Sequence, residues 1–155
     1  MIIRKAEKRD LKQIKELNWQ FFIEELPYDN VLKIDKESRR WGRRNIENSF
    51  KSKNSKLFVA LEKNKIVAFA LGKIERKPPI FKSRKFGYIF LTFVEKLYRK
   101  KGTGKKLIKR LISYFGSKSI DYVELDCFYK NKISLNFWKS LGFKQHLEKM
   151  RLKIK

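Results

Sequence analysis

"YIFLTFVEKLYRKKGTGKKLIKRLI", residues 88–112, decides the fold. Its first seven residues carry no charge, as expected of a strand covered by helices on both faces. Leu107, Ile108, Leu111, Ile112 and then Phe115 recur at helical spacing opposite Lys105, Lys106, Lys109 and Arg110, which predicts an amphipathic helix capped near Gly116. Between the two lie Arg99, Lys100, Lys101, Gly102, Thr103 and Gly104. A buried strand that turns through glycines into a helix makes an anion site. The first amides of the helix have no internal acceptor, and the helix dipole is positive there. Gly102 and Gly104 let the backbone curl and let a phosphate approach the amides, with Arg99, Lys100 and Lys101 as mobile charge at the rim.

Two nucleotide motifs fail on this stretch. A Walker A loop needs glycine where Arg99 stands and Ser or Thr where Lys106 stands, and a dinucleotide fingerprint needs glycine at Leu107.

Upstream, "MIIRKA" reads as a strand, and Asp10 stands where a helix N-cap belongs. Leu11, Ile14, Leu17, Phe21 and Phe22 share one helical face until Pro27 ends the pattern, and a second helix runs from Asp35 through Trp41, Ile46 and Phe50, weakened at Gly42. "KLFVALEKNKIVAFALGKIE" holds two strands around Lys63-Asn64-Lys65, an antiparallel hairpin, and "ERKPPIFKSRKF" is a loop. Downstream, "YVELDCF" (122–128) is a strand, a short helix runs from Lys132 to Ser140 and closes at Gly142, and "FKQHLEKMRLKI" supplies one or two final strands. The order is strand, helix, helix, three strands, helix, strand, helix, strand, a mixed α/β (α+β) arrangement in one domain, 1–155.

With 42% hydrophobic and 14% aromatic residues the chain has material for a packed core despite 36% charge. Forty Lys and Arg against 16 Asp and Glu give +24, a field that attracts anions of many kinds: nucleic acid, acidic protein segments, phosphorylated cofactors. Cys127 is the only cysteine, so no intrachain disulfide forms, and nothing has metal-ligand spacing. The start lacks the apolar stretch of a signal peptide and no run is long enough to span a bilayer, so a cytoplasmic protein without a membrane partner is expected.

The central stretch resembles the R-x-x-G-x-G/A signature of the GNAT superfamily of acetyl-CoA-dependent N-acetyltransferases, read on Arg99-Lys100-Lys101-Gly102-Thr103-Gly104. "NKISLNFWKSLGF" is similar to the family's second signature, with Asn131, Ser134, Phe137, Trp138, Gly142 and Phe143 in register. The element order agrees along essentially the whole chain. The resemblance implies a mixed, mostly antiparallel sheet of six to seven strands flanked by four helices and splayed in the middle to hold acetyl-CoA. It implies that amides from Lys100 to Thr103, with Gly104 and Lys105 next to them, hold the pyrophosphate of coenzyme A. The main chain of Phe93 and Val94 then pairs with the pantetheine arm, and Asn131 lies beside that arm. The reaction implied is transfer of acetyl to a primary amine: a protein N-terminus, a lysine or a small amine.

One residue departs from the family. The tyrosine that reprotonates the leaving thiolate in many members is Trp138 here, and an indole is no useful acid. Tyr129 or Tyr88 replaces it, solvent supplies the proton, or the domain binds cofactor with little turnover. Glu95, at the mouth of the cofactor slot, is the candidate base, and Glu124 and Asp126 share a face of the next strand. Each of these carboxylates also has a structural reading as a partner of the surrounding lysines. His146 and Cys127 read as structural. The acceptor is not legible. The competing reading is a basic nucleic-acid- or ribosome-associated module on the same scaffold, suggested by +24 and by "RRWGRR" at 39–44, whose alternative is a basic helix face. An acidic or RNA-associated acceptor would reconcile the two. The oligomeric state is open, a homodimer included.

Overall fold

Five strands form one sheet in the order β1-β2-β3-β4-β5. They are β1 (Ile2–Lys5), β2 (Ser55–Glu62), β3 (Lys65–Arg76), β4 (Lys85–Val94) and β5 (Val123–Glu124). The helices are α1 (Leu11–Glu25), α2 (Lys36–Lys51), α3 (Thr103–Gly116) and α4 (Lys132–Ser140). The structure is a computed structural model that describes residues 1–155. β1 to β4 pair antiparallel and β4 pairs β5 in parallel, so the sheet is mixed and mostly antiparallel.

Helices cover both faces. Ile14, Leu17 and Ile46 from α1 and α2 pack on Val59, Phe69, Leu71, Leu91 and Phe93. Leu107, Ile108, Leu111 and Phe115 from α3, with Trp138 from α4, pack on Ala60, Val67, Ala68, Ala70 and Ile89. β3 is the middle strand, buried without a break from Ile66 to Gly72. β4 is apolar on both faces because of a bulge. Gly72 pairs with Ile89 but Leu71 pairs with Leu91, so Phe90 is the extra residue and the side chains change face across it. Lys63 (φ 46°) and Asn64 (φ 64°), both left-handed, close the β2–β3 hairpin.

Several expectations change in detail. The sheet has five strands, not six or seven, because Phe143–Lys155 forms none: its main chain enters no backbone ladder beyond Phe143, and Arg151 is held instead by Asp29 at 2.7 and 2.8 Å. The strand expected over 122–128 is reduced to Val123–Glu124. Asp10 precedes α1 but does not cap it. Its carboxylate accepts from Arg4 at 2.6 and 3.0 Å and from the Glu7 amide at 2.7 Å. Gly42 leaves α2 unbroken; a Cβ there would come within 2.6 Å of the Phe22 ring, so the glycine is a close approach of α1 and α2. Gly116 is still helical, the C-cap being Ser117, and Ile112 is exposed at the rim of the α3 stripe.

Candidate functional site

β4 and β5 share only two register positions, Gly87 with Val123 and Tyr88 with Glu124. One step further the strands are joined by side chains alone, the Tyr88 hydroxyl donating to Asp126 at 2.9 Å. Beyond that Leu125–Phe128 leaves the sheet and a wedge opens along β4. The β3–β4 ladder sets which groups face it. Glu95 donates to the Val67 carbonyl at 2.9 Å, and alternation then turns the main chain of Phe93 toward Phe69 of β3 and those of Thr92 and Val94 outward. This corrects the expectation for Phe93, whose main chain is used by the sheet, while that of Val94 faces the wedge. The Val94 carbonyl accepts from Arg99 Nε at 2.7 Å, and Thr92 Oγ1 is buried without a partner on this open stretch.

At the end of β4 the chain passes through one 3-10 turn, Lys96–Tyr98, into α3. Lys100 (φ 58°) and Gly102 (φ 78°) are left-handed, the alternation that makes successive amides converge on an anion. No turn, loop or cap hydrogen bond uses an amide of Lys100 to Lys105; the first bond into α3 is Lys106 to the Gly102 carbonyl at 3.0 Å. Six consecutive donors therefore stand open at the positive end of a 14-residue helix. A Cβ on Gly104 would meet the Phe137 ring at 3.1 Å and Val94 Cγ2 at 3.6 Å, so the glycine lets α3, α4 and β4 converge below the loop. Lys100, Lys101 and Lys105 are exposed at its rim, while Thr103 is buried with its hydroxyl toward the Tyr98 carbonyl at 3.3 Å. Arg99 does not join the rim. Its guanidinium turns back over Phe93 and pairs with Glu24 of α1 at 2.7 Å.

The far bank of the wedge is the start of α4. Asn131 caps it, accepting from the Ser134 amide at 3.0 Å, and donates to Glu25 at 3.3 Å. Burial, and then the charge of Glu24, raise the Glu25 carboxyl above its usual value even though Asn131 bonds it. Glu24 and Glu25 thus tie the end of α1 to both banks: Glu24 through Arg99 to β4, Glu25 through Asn131 to α4. Sequence reasoning missed this pair. Its signal was two adjacent carboxylates at a helix C-terminus, where the dipole disfavours them. Trp138 is buried in the core, its indole donating to Ser134 Oγ at 3.1 Å. Burial raises the Cys127 thiol as well. Tyr129 lies between β5 and Asn131, 72% exposed, with Lys130 over its ring.

Other candidates are held by neighbours. Glu95 pairs with Lys65 at 2.9 Å and borders a groove of about 370 Å³ against α1, with Gln20, Glu24 and Phe93. Glu124 pairs with Lys77. Burial and the bond to Asp126 raise the Tyr88 hydroxyl above its usual value, which disfavours it as a proton donor. His146 lies in the exposed C-terminal segment. Of "RRWGRR", Arg39 and Arg43 both clasp Glu16, at 2.8 and 2.9 Å, and Arg39 stacks on Trp19, so half of that motif joins α2 to α1. No group of His, Cys, Asp and Glu has the arrangement of a metal site, and no helix is long and apolar enough to cross a membrane.

Residues 11–143 match the family model described as acetyltransferase (GNAT) family. No curated protein matches the chain. Among solved structures, a mutant of the BH1408 protein from Bacillus halodurans superposes with TM-score 0.90 at 23% identity, covering 100% of both chains. A predicted acetyltransferase with acetyl-CoA from Clostridium acetobutylicum superposes with TM-score 0.80 at 21% identity, over 99% of this chain and 96% of that one. Aminoglycoside N-acetyltransferase AAC(6')-Iy, in complex with CoA, gives 0.77 at 18% identity over 99% of each chain. At these identities the likeness carries the fold.

Proposed function

The chain belongs to the GNAT family of acetyltransferases, whose cofactor is acetyl-CoA, and from that premise we propose that it transfers acetyl directly to a primary amine. The observation that carries the reading is the run of six open amides from Lys100 to Lys105, beside a strand whose outward main chain has lost its neighbour. The fit extends to side chains: the orphaned Thr92 hydroxyl lies on the same open stretch of β4. In this reading the amides of Lys100 to Lys105 hold the pyrophosphate, with Lys100, Lys101 and Lys105 neutralising it, and Val94 and Asn131 border the pantetheine arm.

Acetyl-CoA supplies an activated thioester, and the chain supplies position and proton management. Arg99 holds the Val94 carbonyl and pins α1 over the wedge, so its role is positioning. Tyr129, on the far bank and open to solvent, donates the proton that the departing thiolate takes up. Glu95, paired with Lys65 beside the α1 groove, accepts a proton from the incoming amine.

Calorimetric titration with CoA and acetyl-CoA tests the premise, followed by a screen of amine acceptors for acetylated product. Saturable binding and turnover are expected; no binding of either ligand overturns the proposal. Tyr129→Phe should lower kcat with CoA affinity unchanged, and an unaltered kcat would remove Tyr129 from the mechanism.

A further inference from the structure

A second groove, of about 450 Å³, lies on the α2 side of the sheet and is lined by Trp41, Asn45, Asn48, Asn54, Lys73 and Glu75. Through Lys73 it adjoins the closed end of the wedge. Lys73 is the register partner of Tyr88, where β5 makes its last pairing, and its ammonium rests 3.7 Å above the ring of Phe90, the bulged residue of β4.

The charges in this groove are unmatched. Lys15, Lys65 and Lys77 each have a carboxylate partner, but half-buried Lys73 has only the Asn45 amide oxygen at 3.4 Å. Burial holds the Lys73 ammonium below its usual value, with Glu75 opposing. Glu75 acts on Lys73 without forming an ion pair with it, which leaves the half-buried ammonium open to an anion that arrives with a ligand. Arg44, also lining the groove, forms no ion pair, and neither does Glu75. The side-chain amides of Asn48 and Asn54 have no hydrogen-bond partner in the chain, and the Trp41 ring is 55% exposed. Uncommitted amides suit hydroxyl groups, an exposed indole suits the flat face of a small ring, and the one carboxylate suits an ammonium.

We infer that this groove takes the acceptor, a small hydroxylated primary amine that also carries an anionic group, with Lys73 and Arg44 on the anion and Glu75 on the ammonium. The inference rests on the proposed acetyl transfer. It also sets the acceptor apart from polycations, since Lys73 and Arg44 oppose them at close range. An amine bound here meets Glu75, which on this inference takes the proton-accepting place proposed above for Glu95.

Binding can be read without turnover, by tryptophan fluorescence of the full chain titrated with glucosamine 6-phosphate, glucosamine, inorganic phosphate and spermine. Trp41→Phe serves as the control that assigns the signal. Glucosamine 6-phosphate should bind about tenfold or more tightly than glucosamine, as a hydrogen-bonded charge pair provides. Lys73→Gln should abolish that preference, Lys73→Arg should retain most of it, and CoA affinity by calorimetry should stay unchanged in both. Equal binding of the two sugars, a preference untouched by Lys73→Gln, tighter binding of spermine, or phosphate alone binding as well as the phosphorylated sugar would each overturn the inference. If the preference holds but CoA does not bind, the ligand class stands and acetyl transfer falls. If CoA binds but the sugars are not distinguished, the reverse follows.

Discussion

Gly102 and Gly104 do different things in one loop. At Gly102 the backbone is left-handed and a Cβ would meet nothing, so Gly102→Ala strains the turn without a clash, at a cost of about 1 kcal/mol. At Gly104 the backbone is ordinary but a Cβ would press on the Phe137 ring at 3.1 Å, so Gly104→Val drives α4 from the loop. Gly102→Ala should lower the Tm by about 2–4 °C. Gly104→Val should weaken CoA about tenfold or more, because misplaced amides lose charge-assisted bonds. Calorimetry on the two variants separates these effects, and wild-type affinity in Gly104→Val would refute the amide cradle. Glu25 gives a third test. Its folded carboxyl binds a proton more tightly than an exposed one, so its contribution is most favourable below the unfolded pKa and is lost as pH rises through the folded value. Glu25→Gln keeps an acceptor for Asn131 and removes the ionisation. At pH 8 the variant should match or exceed the parent in Tm by about a degree or two, and at pH 4 the difference should vanish. A lower Tm at pH 8 would mean that the charge itself holds α1 to α4.

Among the elements, the entry to α1 depends on one ion pair. Burial alone would raise the Asp10 carboxyl, but the bonds from Arg4 and the Glu7 amide outweigh it and leave it below the usual range. A depressed folded value stabilises above the unfolded pKa and is lost as pH falls through the folded one. Asp10→Ala should therefore cost about 2–3 kcal/mol at pH 7, leaving Arg4 partly buried and uncompensated. Urea unfolding should show the gap to the parent closing below about pH 4, near the carboxylate range. A constant gap down to pH 2 would assign the loss to packing. The role was not legible: the spacing reads Asp10 as the N-cap of α1, but its carboxylate is taken by Arg4 on β1, which local spacing does not report. α3 was legible because its stripe is long and strongly periodic, and the hairpin because Asn64 accepts φ > 0. The strands beyond Asp121 were not. Period-two alternation such as Met150, Leu152 and Ile154 shows that a segment suits a sheet, but a strand also needs an edge to pair with. Here Leu125–Phe128 leaves β4 to form the wedge, and Arg151 is bound to Asp29 instead. The site's two ends, the glycine loop and Asn131, were readable as motifs. Glu24, Glu25 and Lys73 were not, since each matters through a contact distant in sequence.

At the scale of the whole molecule, 40 cations against 16 carboxylates surround a cleft whose loop is itself positive. The ion pairs at Glu16, Glu47 and Glu124 use up several carboxylates on Arg39, Arg43, Lys15 and Lys77, so most of the remaining lysines act as an unbalanced field. Such a field raises the local concentration of anionic ligands and is screened over about 8–10 Å at ordinary ionic strength. Coenzyme A carries a pyrophosphate and a third phosphate, so its affinity should contain a large screened part. Raising NaCl from about 0.05 to 0.5 M should weaken CoA binding about tenfold, with most of the loss in the association rate. Removing one phosphate should shrink that salt dependence: dephospho-CoA should show a shallower slope, while its remaining pyrophosphate still requires the Lys100–Lys105 amides. Isothermal titrations of both ligands across the salt series measure the two slopes. Equal slopes would locate the affinity in short-range bonds at the loop, and a flat response for both would leave the +24 charge without a part in cofactor capture.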